Sequence, residues 1–293
     1  MQSLDSVRLL TRGEPLNLHN VMRRVSPTVF QDALIWEADE SRTTFGQIEK
    51  SESFNFAQMS YMGGFDYPDN SVVALILEEL SRFAQEWGAL GVLADLPEHS
   101  SLFEGFRLAG FTIWARQSVY VFPKIPVEDN QTGSTWREYR SVDKHALSRL
   151  NKKYIPAFSQ PMVPLSRKFE MRFVAVSLKN ECIGYADISI GTKGVWVQPL
   201  IDCHDNYADL LTGLSAVIPN PTNRPMYLCT RSYQPQLGNY AESVGYEKVE
   251  SQLLMVKQLV MREKVDQREI KSLFEKGSIE GSVPLTQSKN KPS

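Results

Sequence analysis

The apolar and polar positions of the chain follow the same order of periodicities twice. In each half, stretches that alternate apolar and polar residues precede a stretch with apolar residues at helical spacing. Alternation is typical of half-buried strands, and spacings of three and four residues are typical of amphipathic helices. A further strand, a short helix, a glycine with an aromatic neighbour and a last strand complete each half. The pattern therefore predicts two units with one order of elements.

The two units align without gaps at an offset of 135 residues. Gly110 of the first half matches Gly245 of the second, and Gln117 matches Gln252. Few positions are identical, so the shared pattern is the signal of a repeat. The predicted division is an N-terminal domain at 1–122, a linker at 123–135, a C-terminal domain at 136–260, and a charged helix with a disordered tail at 261–293.

Helix boundaries can be predicted from residues with special backbone or capping properties. The longest helical pattern, SVVALILEELSRFAQEWG, ends at Gly88, and the next short helix ends at Gly110. Glycine adopts the left-handed conformation that ends many helices. Ser101 and Glu104 have the spacing of a capping box, so Ser101 is predicted to cap a short helix that begins near Leu102.

Composition and charge exclude several classes of protein. The chain is 42% hydrophobic and 23% charged, with a formal net charge of −2, as in ordinary globular domains. Such a balance predicts neither a nucleic-acid nor a membrane partner, and no apolar run approaches the ~20 residues that span a bilayer. The 3 cysteines lack a C-x-x-C spacing, so we interpret them as reduced thiols of a cytoplasmic protein.

Two local patterns resemble a known superfamily. The stretch REYRSVDKHALSRLNKKYIPA is similar to the opening strand and first helix of the GNAT superfamily, the Gcn5-related N-acyltransferases. The endings LFEGFRLAGF and NYAESVGY resemble that superfamily's helix, glycine-aromatic pair and strand. The resemblance implies an α/β (α+β) fold of two tandem GNAT-like domains, each a mixed, mostly antiparallel sheet flanked by helices.

The resemblance also implies acetyl-CoA or another acyl-CoA as cofactor. Its diphosphate would lie on the loop between the central splayed strand and the main helix, where glycines admit the backbone and helix amides face the anion. The matching positions of the first half are Met62, Gly63, Gly64, Asn70 and Ser71. Those of the second half are Val197 and Gln198.

Both loops depart from the superfamily's pattern by lacking a basic residue and carrying acids. The acids and prolines concerned are Asp66, Pro68, Asp69, Pro199, Asp202 and Asp205. Carboxylates repel a diphosphate, so the loops predict a weakened or lost phosphate site. The alternative interpretation is that the acids cap the following helices, with Asp69 or Asn70 at one helix and Asp205 or Asn206 at the other.

The proton donor of the superfamily is a tyrosine four residues before the glycine-aromatic pair. Phe106 and Ala241 hold that position here, and neither can donate a proton. Tyr240 is a weak catalytic candidate, because it lies one position away, about 100° around the helix. Partial burial of an amphipathic ring is the alternative for Tyr240. No metal site is predicted, because DCHD at 202–205 has no second ligand cluster.

Aromatic residues concentrate in the sheet of the first half and in its exit loop. They are Trp36, Phe45, Phe54, Phe56, Tyr61, Phe65 and Tyr67. These side chains either line a cleft for a partly apolar ligand or fill the core of a sheet.

We interpret the chain as a GNAT-like N-acyltransferase that transfers an acyl group from acyl-CoA to a small-molecule amine, with activity weak or lost. The alternative is a non-catalytic tandem GNAT-like protein that binds an unknown ligand or partner. The first half is favoured as the active one because of Gly63, Gly64 and its longer helix. The acceptor, the acyl chain and the oligomeric state are not defined by the sequence.

Overall fold

The computed structural model describes residues 2–13, 29–39, 42–64, 69–123, 134–165, 169–202 and 207–259, with the backbone alone for 29–39, 42–43 and 134. Within these ranges no helix has the length and apolar character needed to cross a membrane. The predicted tail at 261–293 lies outside them. So do most of the predicted linker and the residues Phe65, Asp66, Tyr67, Pro68, Asp205 and Asn206.

One sheet of twelve strands contains the described strands of both halves. The first half contributes β1 (Gln2–Ser3), β2 (Val29–Asp39), β3 (Arg42–Ser51), β4 (Phe56–Gly63), β5 (Gly91–Pro97) and β6 (Thr112–Phe122). The second contributes β7 (Ser134–Glu138), β8 (Met171–Ser177), β9 (Cys182–Ile190), β10 (Val195–Ile201), β11 (Met226–Arg231) and β12 (Lys248–Gln258). The order is β2-β3-β4-β5-β12-β6-β11-β10-β9-β8-β7, with β1 beside β4.

The predicted mixed, mostly antiparallel sheet is confirmed. Among the described strands, β4 pairs with β5 and β10 pairs with β11 in parallel, and the other pairs are antiparallel. In both parallel pairs only the first residues are hydrogen bonded: Phe56–Gln58 with Gly91–Leu93, and Val195–Val197 with Met226–Leu228. Beyond these residues the strands diverge. Each half therefore contains one wedge-shaped gap in the sheet.

Helices cover both faces of the sheet. They are α1 (Ser6–Arg12), α2 (Asn70–Glu86), α3 (Phe103–Leu108), α4 (Lys144–Tyr154), α5 (Tyr207–Val217) and α6 (Pro235–Ser243). Successive strand residues point to opposite faces. Val197 accordingly packs in the core under α5, whereas Trp196 packs with Val7 and Leu10 of α1. Thus α2, α3, α5 and α6 lie on one face, and α1 and α4 lie on the other.

Most of the predicted helix boundaries agree with the structure. Asp69 caps α2 by accepting a hydrogen bond from the amide of Ser71 at 2.8 Å. Gly88 and Gly110 have φ angles of 70° and 84°, in the left-handed region that favours glycine.

The start of α3 agrees with the predicted position near Leu102, but the predicted capping box was wrong. The helix begins at Phe103, and the hydroxyl of Ser100, not Ser101, accepts the amide of Leu102 at 3.2 Å. The carboxylate of Glu104 is bonded to Arg107 one turn further along, so it does not reach back to cap the helix.

The last strands of the two halves are exchanged. β12 of the second half pairs with β5 of the first, and β6 of the first half pairs with β11 of the second. β6 and β12 also pair with each other at the centre of the sheet. The predicted division at 1–122 and 136–260 stays a prediction, because each half completes the sheet of the other. β7 begins at Ser134, inside the predicted linker.

The central pairing relates residues that are 135 positions apart. Gln117 lies opposite Gln252, and the Nε2 of Gln117 donates to the Oε1 of Gln252 at 2.5 Å. An antiparallel pair in which a residue faces its own counterpart is what a local two-fold axis requires. Both side chains are buried, and Gln252 also donates to the hydroxyl of Ser6 at 2.5 Å. These hydrogen bonds satisfy polar groups whose burial alone would be costly.

The first wedge is filled by residues 2–4 of the chain itself. Gln2 and Ser3 pair with Met62 and Tyr61 of β4. The amide of Leu4 donates to the carbonyl of Ser60 at 3.0 Å, and its carbonyl accepts from the amide of Asp95 at 3.0 Å. Leu4 thereby joins β4 to β5. Its side chain is fully buried in the core under α2.

The corresponding segment of the second half has a different place. Glu138 lies 135 residues beyond Ser3, and it belongs to β7, which pairs with β8 at the outer edge of the sheet. The two copies of the opening strand therefore differ: one lies at an edge, and the other lies inside a wedge.

We expect Leu4→Ala to lower the free energy of unfolding by about 2–5 kcal/mol, as for other fully buried leucines. The matched control is Leu108→Ala, at a position that is 53% exposed, which should cost less than about 0.5 kcal/mol. Urea denaturation of both variants measures the difference. Equal costs would mean that the N-terminal residues do not occupy the wedge.

Candidate functional site

The wedge of the second half contains no main-chain segment among the described residues. β10 continues to Ile201 and β11 to Arg231, although their pairing stops at Val197 and Leu228. Main-chain groups on the inner edge of β10 therefore need partners other than β11.

A side-chain amide takes the place of the missing strand. Gln234 lies immediately before α6 and is 4% exposed. Its nitrogen donates to the carbonyl of Pro199 at 2.9 Å, and its oxygen accepts from the amide of Ile201 at 2.9 Å. This orientation of the carboxamide is assigned from its hydrogen-bond partners. A carboxamide has the shape and polarity of a peptide group, so Gln234 imitates one residue of a paired strand.

A second bridge crosses the same wedge on the opposite face. Arg231 of β11 donates to the Oε1 of Gln198 on β10 at 3.0 Å and to the hydroxyl of Tyr233 at 3.2 Å. Its guanidinium lies over the ring of Trp114 at 5.2 Å, within the range of a cation–π contact. Its Nε is buried without a hydrogen-bond partner. The wedge therefore contains a cation whose Nε–H has no hydrogen-bond partner.

The charge state of this cluster is fixed by its neighbours. Burial opposes the charge of Arg231, but nearby Tyr233 and Cys229 outweigh burial and raise the pKa of the guanidinium. Burial raises the pKa of the Cys229 thiol to about 12 and also raises the pKa of Tyr233. At neutral pH the cluster thus contains a guanidinium, a neutral phenol and a neutral thiol.

A buried polar layer lies beside this bridge, under α4. Arg172 forms an ion pair with Asp187, and its guanidinium lies 5.5 Å from the ring of Tyr185. Tyr185 donates to the side chain of Asn151 at 2.7 Å, and burial raises the pKa of its phenol. These contacts fix the side chains of β8 and β9 next to the wedge.

The predicted phosphate-binding residues of the first half lie in or next to β4 and α2. Met62 and Gly63 are buried strand residues paired with Gly46 and Phe45, so their backbone is engaged in the sheet. Gly64 is exposed and has a φ of 108°.

At the start of α2, the Asp69 carboxylate already accepts the amide of Ser71. The side-chain oxygen of Asn70 is buried without a partner, and it is an acceptor that would repel a phosphate. The structure thus engages Met62, Gly63 and Ser71 in contacts of their own, and the predicted phosphate contacts of this half stay a prediction.

The two predicted phosphate-binding residues of the second half lie on opposite faces of the sheet, because successive side chains of β10 point in opposite directions. Val197 belongs to the core under α5, whereas Gln198 lies on the other face in the bridge to Arg231. At the exit of β10, Asp202 is bonded to Lys153 at 2.7 Å and to Tyr154. This acid is therefore paired with a cation.

Tyr240, the predicted weak proton donor, lies on α6 and packs 5.7 Å from the ring of Tyr207. Burial raises the pKa of Tyr240, so its phenol is protonated at neutral pH. Its catalytic role stays a prediction. Phe106, at the superfamily's donor position in the first half, is fully buried and packs against Phe111 at 4.8 Å.

Sequence reasoning missed Arg231 and Gln234. Arg231 ends an apolar strand in MYLCTRSYQPQ and Gln234 follows it, and nothing in that stretch shows that they meet β10. The feature that points to them is the early end of the parallel pairing between β10 and β11, and this is visible in the structure but not in the sequence. Among the described residues, no three His, Cys, Asp or Glu side chains converge in a way that would hold a metal ion.

Comparison with known proteins identifies the fold. In sequence, no family model and no curated protein matches the chain. In structure, a functionally unknown conserved protein from Staphylococcus epidermidis aligns with a TM-score of 0.53 and 15% identity, over 78% of this chain and 95% of that chain. A GCN5-related N-acetyltransferase from Sphaerobacter thermophilus aligns with a TM-score of 0.51 and 11% identity, over 82% and 84%.

A tandem GNAT protein from the clavulanic acid biosynthesis pathway aligns with a TM-score of 0.48 and 11% identity, over 80% of this chain and 84% of that chain. At identities this low, the alignments above a TM-score of 0.5 establish the fold alone. The chain has the fold of the GCN5-related N-acetyltransferases, so the resemblance seen in the sequence is confirmed at that level.

Removal of the Gln234 carboxamide should leave the edge of β10 without partners. We expect Gln234→Ala to lower the free energy of unfolding by about 1–3 kcal/mol, the usual cost of unpaired buried polar groups. Gln236→Ala, two residues further on at an exposed position, is the control and should change it by less than about 0.5 kcal/mol. Thermal or urea unfolding distinguishes the two. If Gln234→Ala is as stable as the control, the wedge does not depend on this side chain.

Proposed function

We propose that the chain is an N-acyltransferase and that its second half binds the acyl-CoA donor. The observation that carries the proposal is the wedge between β10 and β11, where the carboxamide of Gln234 occupies the free edge of β10. The N-acetyltransferase fold supports an acyl-transfer function in general. The proposal reverses the preference drawn from the sequence, because the wedge of the first half is filled by Leu4 and its neighbours.

In the second half, the inner edge of β10 has main-chain groups that suit the donor. The pantetheine arm of coenzyme A is an extended chain with amide groups. Those amides can form with Pro199 and Ile201 the hydrogen bonds that Gln234 now forms. A flexible side chain can rotate away, whereas a bonded strand must be withdrawn from a sheet. The bound donor supplies an acyl group activated as a thioester.

The residues of the chain would position the acceptor and stabilise charge. The unused Nε–H of Arg231 lies at the wedge, where it can donate to the oxygen of the acyl carbonyl as negative charge develops. Gln198 and Trp114 hold the guanidinium in place. In the overall reaction a C–N bond forms and a C–S bond breaks; the amine loses a proton, and the leaving sulfur gains one.

A non-catalytic function is the second candidate, and the same bridge favours it. Gln234 and the Arg231–Gln198 pair together bridge the wedge without any ligand. A tandem GNAT-like protein that binds a ligand or partner without transfer would keep such a closed wedge. For either function we propose a small-molecule ligand and a cytoplasmic location, the latter because Cys182 and Cys229 are free thiols.

Acetyl-CoA should bind and compete with Gln234. At 100 times its dissociation constant, acetyl-CoA should stabilise the protein by about 2.7 kcal/mol, which is measurable as a rise in melting temperature. We expect Gln234→Ala to bind acetyl-CoA several-fold more tightly, because the occupant of the wedge is gone. Release of free coenzyme A in the presence of amines, followed with a thiol reagent, then measures transfer.

Two variants and two outcomes decide the assignment. Gln236→Ala should bind acetyl-CoA as the unaltered protein does, and Leu4→Ala should not increase the affinity. Binding without release of coenzyme A to any amine would support the non-catalytic candidate. Failure of acetyl-CoA and longer acyl-CoAs to bind even to Gln234→Ala would rule out the proposed donor site.

A further inference from the structure

An open cavity of about 230 Å³ lies between α1 and the face of β3 and β4 that is opposite α2. Its wall combines charged groups of α1, β3 and the 169–170 segment with aromatic rings. The principal residues are Arg8, Arg12, Glu49, Phe54, Phe56 and Phe169. Two of the aromatic residues noted in the sequence, Phe54 and Phe56, thus line a cavity, with their ring centroids 5.7 Å apart.

A smaller cavity of about 20 Å³ continues this one toward the centre of the sheet. The two share Asp5, Val7, Gln58 and Phe169 in their walls. The smaller cavity has room for about one water molecule, and its far wall contains Gln198 and Arg231. The two cavities therefore adjoin, and together their walls extend from α1 to the wedge of the second half.

Unpaired hydrogen-bond donors are concentrated along this space. The described residues contain five side-chain atoms that are buried without a partner, and three of them belong to residues that line it: Arg8 Nε, Trp196 Nε1 and Arg231 Nε. All three are N–H donors. Arg8 is only 6% exposed and Trp196 is fully buried, so bulk water does not satisfy them. A ligand for this space must bring hydrogen-bond acceptors.

Carboxylates lie beside these donors. Arg8 is paired with Glu49 at 2.8 Å, and Arg12 with Glu170 at 3.0 Å. Deeper in, Asp5 accepts from the amide of Arg8, and Asp95 accepts from the amide of Ser6 at 3.1 Å. At the inner end the carboxylates of Asp5 and Asp95 outnumber the guanidinium of Arg231, which favours a cationic group on the ligand. The unpaired Nε–H of Arg8 favours a hydrogen-bond acceptor such as a carboxylate.

We propose that this space binds the acceptor of the reaction and that the acceptor is a small amino acid-like zwitterion. Its carboxylate meets Arg8, its side chain lies along Phe54, Phe56 and Phe169, and its amine points toward Asp95 and the wedge. The role as acceptor rests on the proposed acyl transfer. The binding of the zwitterion does not depend on acyl transfer, because the cavity and its hydrogen-bond donors are on the face of the sheet opposite α5 and α6.

Binding is tested with the full chain by melting-temperature measurements and calorimetry. The twenty standard amino acids are added one at a time at millimolar concentration without acyl-CoA. We expect at least one to bind. For that amino acid, its amide, which lacks the carboxylate, and its des-amino acid, which lacks the ammonium group, should each bind at least ten-fold more weakly. The proposal is overturned if none of the amino acids or analogues binds. It is also overturned if the amino acid, its amide and its des-amino acid bind equally well.

A substitution locates the site on the surface of α1. Arg8→Lys keeps the positive charge but removes the Nε–H, and we expect it to weaken binding of the amino acid at least ten-fold. Arg107→Lys, at an exposed arginine on α3 paired with Glu104, is the matched control and should bind normally. If Arg8→Lys unfolds, the comparison of analogues on the unaltered protein still decides the question. Unchanged binding to folded Arg8→Lys overturns the assignment to this cavity.

The failures of the two proposals are distinguishable. If the amino acid binds and acetyl-CoA does not, the zwitterion site stands and the acyltransferase proposal fails. If acetyl-CoA binds and none of the amino acids does, the donor site stands and this inference fails. If both bind, release of coenzyme A should require the amino acid and should fall at least ten-fold in Arg8→Lys at subsaturating amino acid, with acetyl-CoA binding unchanged.

Discussion

The need to pair main-chain hydrogen-bond groups inside a diverging sheet is the constraint on which the structure depends. Two parallel strand pairs separate after three residues, and each separation leaves amides and carbonyls that water does not reach. One gap is closed by the chain's own Leu4 and the other by the carboxamide of Gln234. The difference between a strand and a side chain in the same position makes the two halves unequal.

The exchange of last strands turns two repeats into one sheet. β12 completes the first half and β6 completes the second, so neither half retains a full set of neighbours of its own. The Gln117–Gln252 pair lies where the two copies meet, and Gln252 also bonds Ser6 next to Leu4. The central pairing and the filled wedge are therefore connected through one buried polar network. We propose the second half as the site of the chemistry because, among the described residues, its wedge is bridged by side chains.

Residue patterns predicted much of the fold because local chemistry decided it. The apolar stripe of α2, its Asp69 cap and the left-handed Gly88 depend on residues within one helix. The predicted capping box of α3 was wrong because the hydroxyl of Ser100 accepts the amide of Leu102 in place of Ser101, and because the carboxylate of Glu104 binds Arg107. Of the acids in the two loops, Asp69 caps the following helix, as one of the two interpretations proposed. Asp202 instead forms an ion pair with Lys153.

The sequence by itself determined the order of strands and helices, and it predicted a repeat and a superfamily resemblance, because spacing and turn residues act over a few positions. Only the tertiary structure shows that β1 lies in the wedge and not at the edge of the sheet, and that β6 and β12 each pair with a strand of the other half. It alone also shows that Arg231 and Gln234 contact β10. Identical strand patterns can pair with either half, since a strand's periodicity specifies which face is buried and not which neighbour it bonds. The choice rests on contacts between residues up to 246 positions apart, such as Ser6 with Gln252.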